Sequence, residues 1–332
     1  MNYVKRSKPS NVQITEMYLF NHEFERTFPL SRKVKLKYFL IDSNGAFISY
    51  KEPKSLIKEK SICYRKSLLN LILYFLKSIF KGDFVLVYST SVWFTDGWSA
   101  GYFHWMFDAL PRLLESEVKK EIKIFLPSHF NSQSYVKASL EAMGFYNIQF
   151  MQANKSYFFK HLIFNTHSAP TGNYNEKTVR QLREICVSKL KGDSINIGER
   201  IFVSRAKAER RKIINESDLH SLLINFGFSI IYFEEYSWNE QVLICSKAKC
   251  LIGLHGAGLS NMLFMPEKSV ILEFRRIDDS HNNCYFSLAS ALGHSYYYLQ
   301  CNTNAHETLN ANFMVDKQTF KELLEIIFNT NP

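Results

Sequence analysis

The sequence has few of the residues that mark disulfide-rich, zinc-binding, collagen-like or membrane-spanning proteins. Its six cysteines are scattered over 332 residues, with no CxxC pair and no zinc-type Cys/His spacing. The 13 glycines and 8 prolines are too few for a collagen-like or low-complexity chain. The longest apolar run, Leu68 to Leu76, contains Asn70 and reaches about half of the ~20 residues that a spanning helix needs. We therefore expect a globular chain that is soluble or peripheral to a membrane.

The cysteines and the first residues also predict a compartment. We expect the scattered cysteines to be reduced thiols in the core, because no disulfide framework is visible. Met1 to Arg6 is followed by no apolar stretch, so we expect no secretory signal. These features predict a cytoplasmic protein, either free or peripheral to the inner face of the membrane.

Positive charge is in excess, and aromatic residues are abundant. The 41 Lys and Arg residues and 31 Asp and Glu residues give a formal net charge of +10, which favours phosphates, an anionic membrane face or an acidic polymer as partners. Aromatic residues make up 15% of the chain, which suits a filled core or sugar-stacking surfaces. The predicted helix from Ser67 to Phe80, with Lys77 and Lys81 at its end, is either a core helix or a basic amphipathic surface that rests on an anionic bilayer.

Strand-like and helix-like segments alternate from Phe84 onward. The predicted helices include Ser134 to Met143 with Gly144 as its stop, Glu176 to Leu190 ended by Gly192, Glu216 to Asn225 ended by Gly227, Ser237 to Ala248 with Ser237 and Glu240 as a capping box, and Cys284 to Leu292. Alternation at this spacing indicates parallel βαβ units and an α/β fold. The backbone breakers from Ala169 to Asn173 interrupt the pattern, and we interpret them as a hinge. The sequence therefore predicts two Rossmann-like lobes with a cleft between them, residues 1–170 and residues 171–332. The closing helix, Lys317 to Phe328, is assigned to the second lobe, with a return onto the first as the alternative.

A glycine-rich turn is the sharpest local feature of the second half. The buried strand Cys250 to Gly253 leads into His255-Gly256-Ala257-Gly258 and then into a helix. Small residues let a ligand approach the backbone, and free N–H groups at the helix start favour an anion such as a diphosphate. His255 follows the carboxyl end of a parallel strand, where side chains face the ligand crevice. A tight strand-to-helix connection and a core histidine are the structural alternatives.

Arginines follow an earlier strand of the same half. Ile201 to Val203 runs into Ser204-Arg205, and Arg210-Arg211-Lys212 comes shortly after. Arginines at a strand end can hold a pyrophosphate bidentately without a metal ion, although an exposed basic loop would show the same pattern. Glu273 closes the strand Val270 to Leu272, where it either accepts hydrogen bonds from vicinal ribose hydroxyls or caps the strand.

In the first half, His104 and Asp108 are four residues apart in a predicted helix. This spacing places them on one helical face. Such a pair can form a general base, because the carboxylate orients the imidazole and raises its basicity. A solvated histidine in an ordinary ion pair is the alternative.

Three blocks, in order along the chain, resemble the motifs of glycosyltransferase family 61. The N-terminal block is His104-Trp105 with Asp108 and Leu110-Pro111-Arg112-Leu113. The second block is Ser204-Arg205 through Arg211, with Asn215-Glu216 and Glu240-Gln241. The hallmark block is Leu254 to Asn261, continuing to Met265-Pro266 and Glu273. That family groups bacterial capsular-polysaccharide transferases with plant xylan and animal O-GlcNAc-type transferases.

The resemblance implies a GT-B fold, with a nucleotide-sugar bound in lobe 171–332 and the acceptor in lobe 1–170. It implies transfer with inversion at the anomeric carbon to an oligosaccharide or lipid-linked glycan, in bacterial capsular or surface polysaccharide synthesis. It implies no cofactor besides the nucleotide-sugar co-substrate. The donor-binding residues that it implies are Arg205, Arg211, Asn215, Gln241, His255, Gly256, Ala257, Gly258 and Glu273.

The aspartates bear on the question of a metal ion. No two of them are separated by a single residue, so the DxD metal site of the other main glycosyltransferase fold is missing from the sequence. We therefore expect no metal, with Arg205, Arg211 and the turn at Gly256 neutralising the leaving diphosphate. Inversion requires one base, and either His104 or Asp108 is the candidate because both come from the other lobe.

Two other classes of protein are the alternatives. The net charge and the aromatic residues would suit a basic nucleic-acid-binding protein, but the basic residues are dispersed and no RNP-like or helix-turn-helix pattern is present. A nicotinamide-dependent oxidoreductase would have a GxGxxG after an early strand, and none is present. We therefore expect no nucleic-acid partner and no nicotinamide.

Overall fold

The computed structural model describes residues 1–49, 63–65, 68–189, 195, 197–308 and 310–329. The strands are β1 (Asn2–Lys5), β2 (Glu25–Phe28), β3 (Lys33–Asp42), β4 (Phe47–Ser49), β5 (Cys63–Arg65), β6 (Phe84–Trp93), β7 (Lys123–Leu126), β8 (Ile148–Phe150), β9 (Ser156–Asn165), β10 (Arg200–Val203), β11 (Ser229–Ile231), β12 (Cys250–Leu254), β13 (Val270–Arg276), β14 (Ser295–Thr303) and β15 (Phe313–Met314).

The α-helices are α1 (Leu68–Phe80), α2 (Tyr102–His104), α3 (Leu110–Glu115), α4 (Ser134–Ala142), α5 (Glu176–Lys189), α6 (Glu216–Asn225), α7 (Trp238–Cys245), α8 (Cys284–Leu292) and α9 (Lys317–Asn329). A π-helical turn, Trp105–Ala109, joins α2 to α3, and 3-10 helices cover Ile14–Leu19, Asn21–Glu23, Ser128–Ser132, Phe233–Glu235 and Ala257–Phe264. Among the described residues, no helix has the length and apolar character needed to cross a membrane.

The chain forms two compact units, of which the first comprises Met1–Asn2 and Phe28–Lys189. Its seven-stranded sheet has the order β5-β4-β3-β9-β6-β7-β8. β6 pairs in parallel with β7 and β9, and β7 pairs in parallel with β8. β3 instead runs antiparallel to β9, from the Lys33–Asn165 pair to the Asp42–Ser156 pair. Aromatic side chains dominate the core on one face of this sheet, including Phe47, Trp93 and Phe159.

The second unit comprises Tyr3–Thr27 and Leu190–Pro332. Its six-stranded sheet has the order β11-β10-β12-β13-β14-β15, and all neighbours are parallel except β14 and β15. All five residues of β12 are buried at the centre of the sheet. A continuous apolar strand of this kind is expected where helices cover both faces of a parallel sheet. The predicted α/β class is confirmed.

Several predicted helix ends are confirmed at single residues. Ser237 caps α7 by accepting a hydrogen bond from the Glu240 N–H, while the Glu240 carboxylate accepts one from the Ser237 N–H. Gly144 and Gly227 follow α4 and α6 with φ angles of +85° and +74°. A glycine adopts this left-handed conformation without the steric cost that a side chain would add, so it ends a helix easily.

The predicted boundary at residues 170/171 and the hinge at Ala169–Asn173 are wrong, because both lie inside the first unit. Helix α5 packs against α3 and α4, with Val179 and Leu182 buried and the Thr178 hydroxyl bonded to Glu115. These contacts keep α5 in the first unit up to Lys189. Gly192, the expected end of this helix, lies outside the described residues.

The second unit also takes in an N-terminal segment, Tyr3–Thr27. Phe20 is fully buried there, with ring contacts to Phe286 and Tyr298. Helix α9 belongs to the same unit, because Phe320 packs against Phe274 in the second core. The closing helix therefore completes the second unit, and the alternative of a return onto the first half is wrong.

Candidate functional site

The predicted donor residues begin at the carboxyl edge of the second sheet. Strands β10 and β12 are parallel neighbours, with Val203 in register with Gly253. Ser204-Arg205 follows the first strand, and His255-Gly256 follows the second. Because parallel strands end at the same edge of a sheet, the two segments meet there, where α/β proteins bind ligands.

The glycine-rich turn is closely packed against neighbouring side chains, most tightly at Gly258. A Cβ atom at Gly258 would lie 2.9 Å from Val203 Cγ1, and one at Gly256 would lie 3.3 Å from Arg205 Nη1. The 3-10 helix Ala257–Phe264 starts directly after Gly256. The first N–H groups of a helix have no partner within it, so the turn presents backbone donors beside a guanidinium.

Arg205 and Arg211 are fixed against this turn by hydrogen bonds to the backbone. Arg211 Nη1 donates to the His255 carbonyl at 2.9 Å. Arg205 Nε donates to the Arg211 carbonyl at 2.9 Å, and its Nη2 donates to the Arg210 carbonyl at 3.1 Å. Arg211 has a φ of +61°, a conformation that costs energy in a residue with a side chain. The loop therefore holds both guanidinium groups in place at the expense of local strain.

The two arginines form a positive site that is only partly compensated by neighbouring negative charge. Burial lowers the pKa of Arg205, an effect that the charge of Glu234 partly offsets. Two effects lower the pKa of Arg211: burial is the larger, and repulsion from the charge of Arg205 is the second. Neither guanidinium takes part in a salt bridge with any described carboxylate, and the Arg211 Nε is buried without a hydrogen-bond partner. A bound anion would relieve the repulsion and satisfy this donor, and the fork of each guanidinium suits phosphate oxygens.

His255 is oriented by a buried carboxylate on the next strand. Its Nδ1 lies 2.5 Å from Glu273 Oε1, and the Tyr296 hydroxyl donates to Glu273 Oε2 at 2.5 Å. Arg275 Nη1 in turn donates to the Tyr296 hydroxyl at 3.2 Å. This chain of hydrogen bonds fixes the imidazole ring and leaves its Nε2 as the nitrogen that can meet a ligand.

Glu273, predicted to bind ribose hydroxyls or to cap its strand, bonds to protein side chains in this structure. Its side chain is fully buried, and both of its oxygens accept hydrogen bonds from protein side chains. In this arrangement the Glu273 carboxylate orients His255. Tyr296 and Arg275 were not predicted, and no sequence signal distinguishes them, because β14 also contains Tyr297 and Tyr298 and β13 also contains Arg276.

Asn215 and Gln241 are likewise committed to the protein. The Asn215 amide bonds to both the N–H and the carbonyl of Val315. The Gln241 Nε2 donates to the Phe233 and Tyr236 carbonyls, and its Oε1 accepts from Asn261. These amides brace the loops around the turn, whereas Arg205, Arg211, His255 and the glycines lie together at the carboxyl edge of the sheet.

The predicted pair of His104 and Asp108 lies in the first unit. His104 Nδ1 is 2.7 Å from Asp108 Oδ2, and the Thr171 hydroxyl donates to the same oxygen at 3.3 Å. Asp108 is buried and His104 is partly exposed. The predicted α-helix contains a π turn here, because Pro111 has no N–H to continue the α-helical ladder. Such turns occur frequently at functional sites.

A second histidine and aspartate pair lies in the same unit. Asp96 follows β6 and His167 follows β9, its parallel neighbour, with 3.0 Å between Asp96 Oδ2 and His167 Nε2. Burial by itself would raise the pKa of Asp96, but the His167 hydrogen bond and the charge of Arg112 hold it at about 2. This pair was not predicted from the sequence, although both residues follow strands of the predicted alternation.

Trp98 connects the two pairs. Its backbone N–H donates to Asp96 Oδ1 at 2.9 Å. Its ring meets the His104 ring edge to face, with 5.0 Å between the ring centroids. The indole is 53% exposed, which is unusual for tryptophan. An exposed aromatic plane beside a histidine and carboxylate pair is suited to stacking against a sugar ring.

The described residues contain no cluster of three or more His, Cys, Asp or Glu side chains that could hold a metal ion. Five cysteines are free thiols: Cys186, Cys245, Cys250, Cys284 and Cys301. Burial raises the pKa of Cys186 and Cys250 to about 12, so these two thiols are inert and part of the core.

The second sheet and its arginines define an α/β unit with two neighbouring guanidinium groups at the carboxyl ends of parallel strands, the edge at which α/β proteins bind ligands. The sequence profile named Glycosyltransferase 61 matches residues 102–272, just over half of the chain. The chain belongs to the glycosyltransferase 61 family. The match contains all the predicted site residues except Glu273, which lies one position beyond it. Membership favours the glycosyltransferase interpretation over the oxidoreductase and nucleic-acid alternatives.

The chain is also similar to curated animal proteins over part of its length. The EGF domain-specific O-linked N-acetylglucosamine transferase of Gallus gallus is 29% identical over 102 residues, which cover 29% of this chain and 19% of that protein. The Drosophila melanogaster protein of the same name is 33% identical over 98 residues, which cover 29% of this chain and 18% of that protein. The chain thus spans less than a fifth of the length of these relatives.

Proposed function

We propose that the chain transfers a sugar from a nucleotide-sugar donor to a glycan acceptor. The observation that carries the proposal is the pair of Arg205 and Arg211, only partly compensated in charge, against the Gly256–Gly258 turn. A nucleoside diphosphate is the natural occupant, because it offers the charge and the oxygen acceptors that both guanidinium groups and the turn lack.

The donor site would act mainly on the leaving group. When the bond between the anomeric carbon and the diphosphate breaks, negative charge grows on the phosphate oxygen, and Arg205, Arg211 and the turn at Gly256 would stabilise it. Because two fixed cations are available for this task, the proposal includes transfer without a divalent metal. His255, oriented by Glu273, would present its Nε2 to the phosphates or to the sugar.

The pair of His104 and Asp108 would supply the base for an inverting transfer. The base takes the proton of the acceptor hydroxyl while that oxygen attacks the anomeric carbon from the side opposite the diphosphate. His104 is the exposed member and Asp108 the buried one, which suits a histidine base held by a carboxylate. Trp98, beside His104, would stack against the acceptor sugar. A GT-B arrangement of the two units is part of this proposal.

The acceptor is proposed to be an oligosaccharide or a lipid-linked glycan, in capsular or surface polysaccharide synthesis on the cytoplasmic side of a membrane. The names of the animal relatives describe transfer of N-acetylglucosamine to EGF domains. We therefore include N-acetylglucosamine among the sugars to be tested and assign no particular sugar.

The decisive experiment measures donor binding and turnover on the purified chain. A thermal-shift screen against UDP-, GDP- and CMP-sugars should raise the melting temperature with one nucleotide class, because a ligand that binds only the folded state stabilises it. Release of the nucleoside diphosphate should then persist in excess EDTA. If no nucleotide-sugar shifts the melting temperature, the donor assignment is wrong. If EDTA abolishes turnover and Mn²⁺ restores it, the metal-free mechanism is wrong.

A further inference from the structure

Helix α1 (Leu68–Phe80) packs on the first sheet through one narrow side. Tyr74 bonds to the Ser156 hydroxyl at 2.7 Å, and Phe75 contacts the rings of Phe84 and Phe158. Ser78, one turn after Tyr74, is buried and donates to the Tyr74 carbonyl. These residues define the inward side of the helix.

The outward side of α1 is apolar and exposed. At 3.6 residues per turn, six large apolar side chains fall within about one third of the helix circumference, opposite the inward side. Their exposed fractions run from 45% to 88%. We call this surface the α1 stripe; it consists of Leu69, Ile72, Leu73, Leu76, Ile79 and Phe80.

Exposed apolar side chains are also present on the neighbouring strand. Phe84, which touches Phe75, shares one face of β6 with Leu86, because alternate residues of a strand point to the same side. Leu86 and Tyr88 are both exposed. Large exposed apolar side chains gathered in one region of a domain mark an interaction surface.

The charges around the stripe indicate what covers it. Lys77 and Lys81 fall on one flank of the helix, between the stripe and the inward side, and no Asp or Glu occurs from Leu68 to Gly82. In a symmetric contact with a second copy, the same surface would face itself and bring these lysines together. An anionic lipid surface accepts the apolar stripe and neutralises the lysines at the same time.

We propose that the α1 stripe docks the chain on an anionic bilayer, with the helix lying in the plane of the membrane surface. The 13 residues of α1 extend about 20 Å, which is short of the ~30 Å hydrocarbon thickness and fits an in-plane position. Lys77 and Lys81 would reach the headgroups while the stripe enters the acyl boundary. This docking goes beyond the proposed transfer and stands on separate residues.

Vesicle flotation with the whole chain tests the proposal. Wild type should float with vesicles containing phosphatidylglycerol and much less with pure phosphatidylcholine. The double variant Leu73→Glu/Leu76→Glu should lose at least tenfold in lipid partitioning, because each change removes apolar burial and adds a charge. Ile14→Glu is the matched control: Ile14 is 93% exposed, lies in the second unit and should leave flotation unchanged. Lys77→Glu/Lys81→Glu should abolish the preference for anionic lipid.

Companion measurements separate the outcomes. All variants change exposed side chains, so their urea midpoints should match wild type, and nucleotide-sugar binding should be unaffected. Absence of flotation in wild type, or equal flotation of the stripe variant, overturns the proposal. A wild-type dimer that Leu73→Glu/Leu76→Glu converts to a monomer, without any lipid binding, also overturns it and assigns the stripe to a second copy.

Discussion

Arg211 gives the sharpest test of the donor site, because its contributions to binding and to folding oppose each other. Its guanidinium is available to a diphosphate but is buried beside Arg205, and its backbone has a φ of +61°. A hydrogen bond to a charged group contributes about 1.5–3 kcal/mol, so Arg211→Ala should weaken nucleotide-sugar binding about 10- to 150-fold.

The ligand-free protein should respond differently. Arg211→Ala loses one hydrogen bond to the His255 carbonyl but also removes the repulsion with Arg205, so its unfolding free energy should stay within about 1 kcal/mol of wild type. Arg211→Gly should lose the same affinity and yet be about 1–2 kcal/mol more stable than Arg211→Ala, because glycine accepts the left-handed backbone.

Calorimetric titration with the nucleotide-sugar, together with urea unfolding, gives both quantities for each variant. Arg210→Ala is the matched control, because Arg210 is an adjacent arginine whose Nη1 is directed to Asn310 at the surface. Equal affinity in wild type and Arg211→Ala, or equal losses in Arg210→Ala and Arg211→Ala, would show that the diphosphate binds elsewhere.

Three further predictions address the remaining parts of the site. His104→Ala should lower turnover by about 10²–10⁴-fold while donor affinity is retained. A larger loss of turnover in Asp108→Asn would instead identify the aspartate as the base. Near-normal turnover in both variants would exclude the pair from the mechanism. Glu273→Gln should reduce the unfolding free energy by about 1.5–3 kcal/mol in urea titrations, because two hydrogen bonds to a buried carboxylate weaken, and an unchanged midpoint would contradict the network. Gly258→Ala should destabilise by about 1–3 kcal/mol through its 2.9 Å approach to Val203, and the added change Val203→Ala should recover part of that loss.

Local signals in the sequence account for much of the second unit. Helices α6 and α8 lie at the predicted residues, because each has a regular apolar period and a glycine within two residues of its end. The strand and turn at Cys250 to Gly258 were visible for the same reason. Such features depend on neighbouring residues alone, which is why they can be predicted without knowledge of the tertiary contacts.

Features that depend on contacts between distant segments could not be predicted from the sequence. The antiparallel ladder between β3 and β9 joins segments more than 100 residues apart, and no pattern in either strand indicates which strand it pairs with. The hydrogen bonds of Glu273 could not be predicted, because the Tyr296 hydroxyl that bonds to its second oxygen comes from the next strand. The apolar period of α1 indicated a helix but left open which side faces water, and only the contacts of Phe75 decide that.

The N-terminal segment Tyr3–Thr27 is synthesised long before the residues of the second unit that it packs against. Phe20 completes its ring contacts only with Phe286, Tyr296 and Tyr298, which are added more than 260 residues later. At 5–20 residues per second, a ribosome needs roughly 15–55 s to cover that distance. During this interval the first unit can fold. The apolar segment around Phe20 stays exposed until the second unit has left the ribosome. The segment therefore reaches its final contacts only after β14 has been made, and its removal would leave that strand without part of its cover.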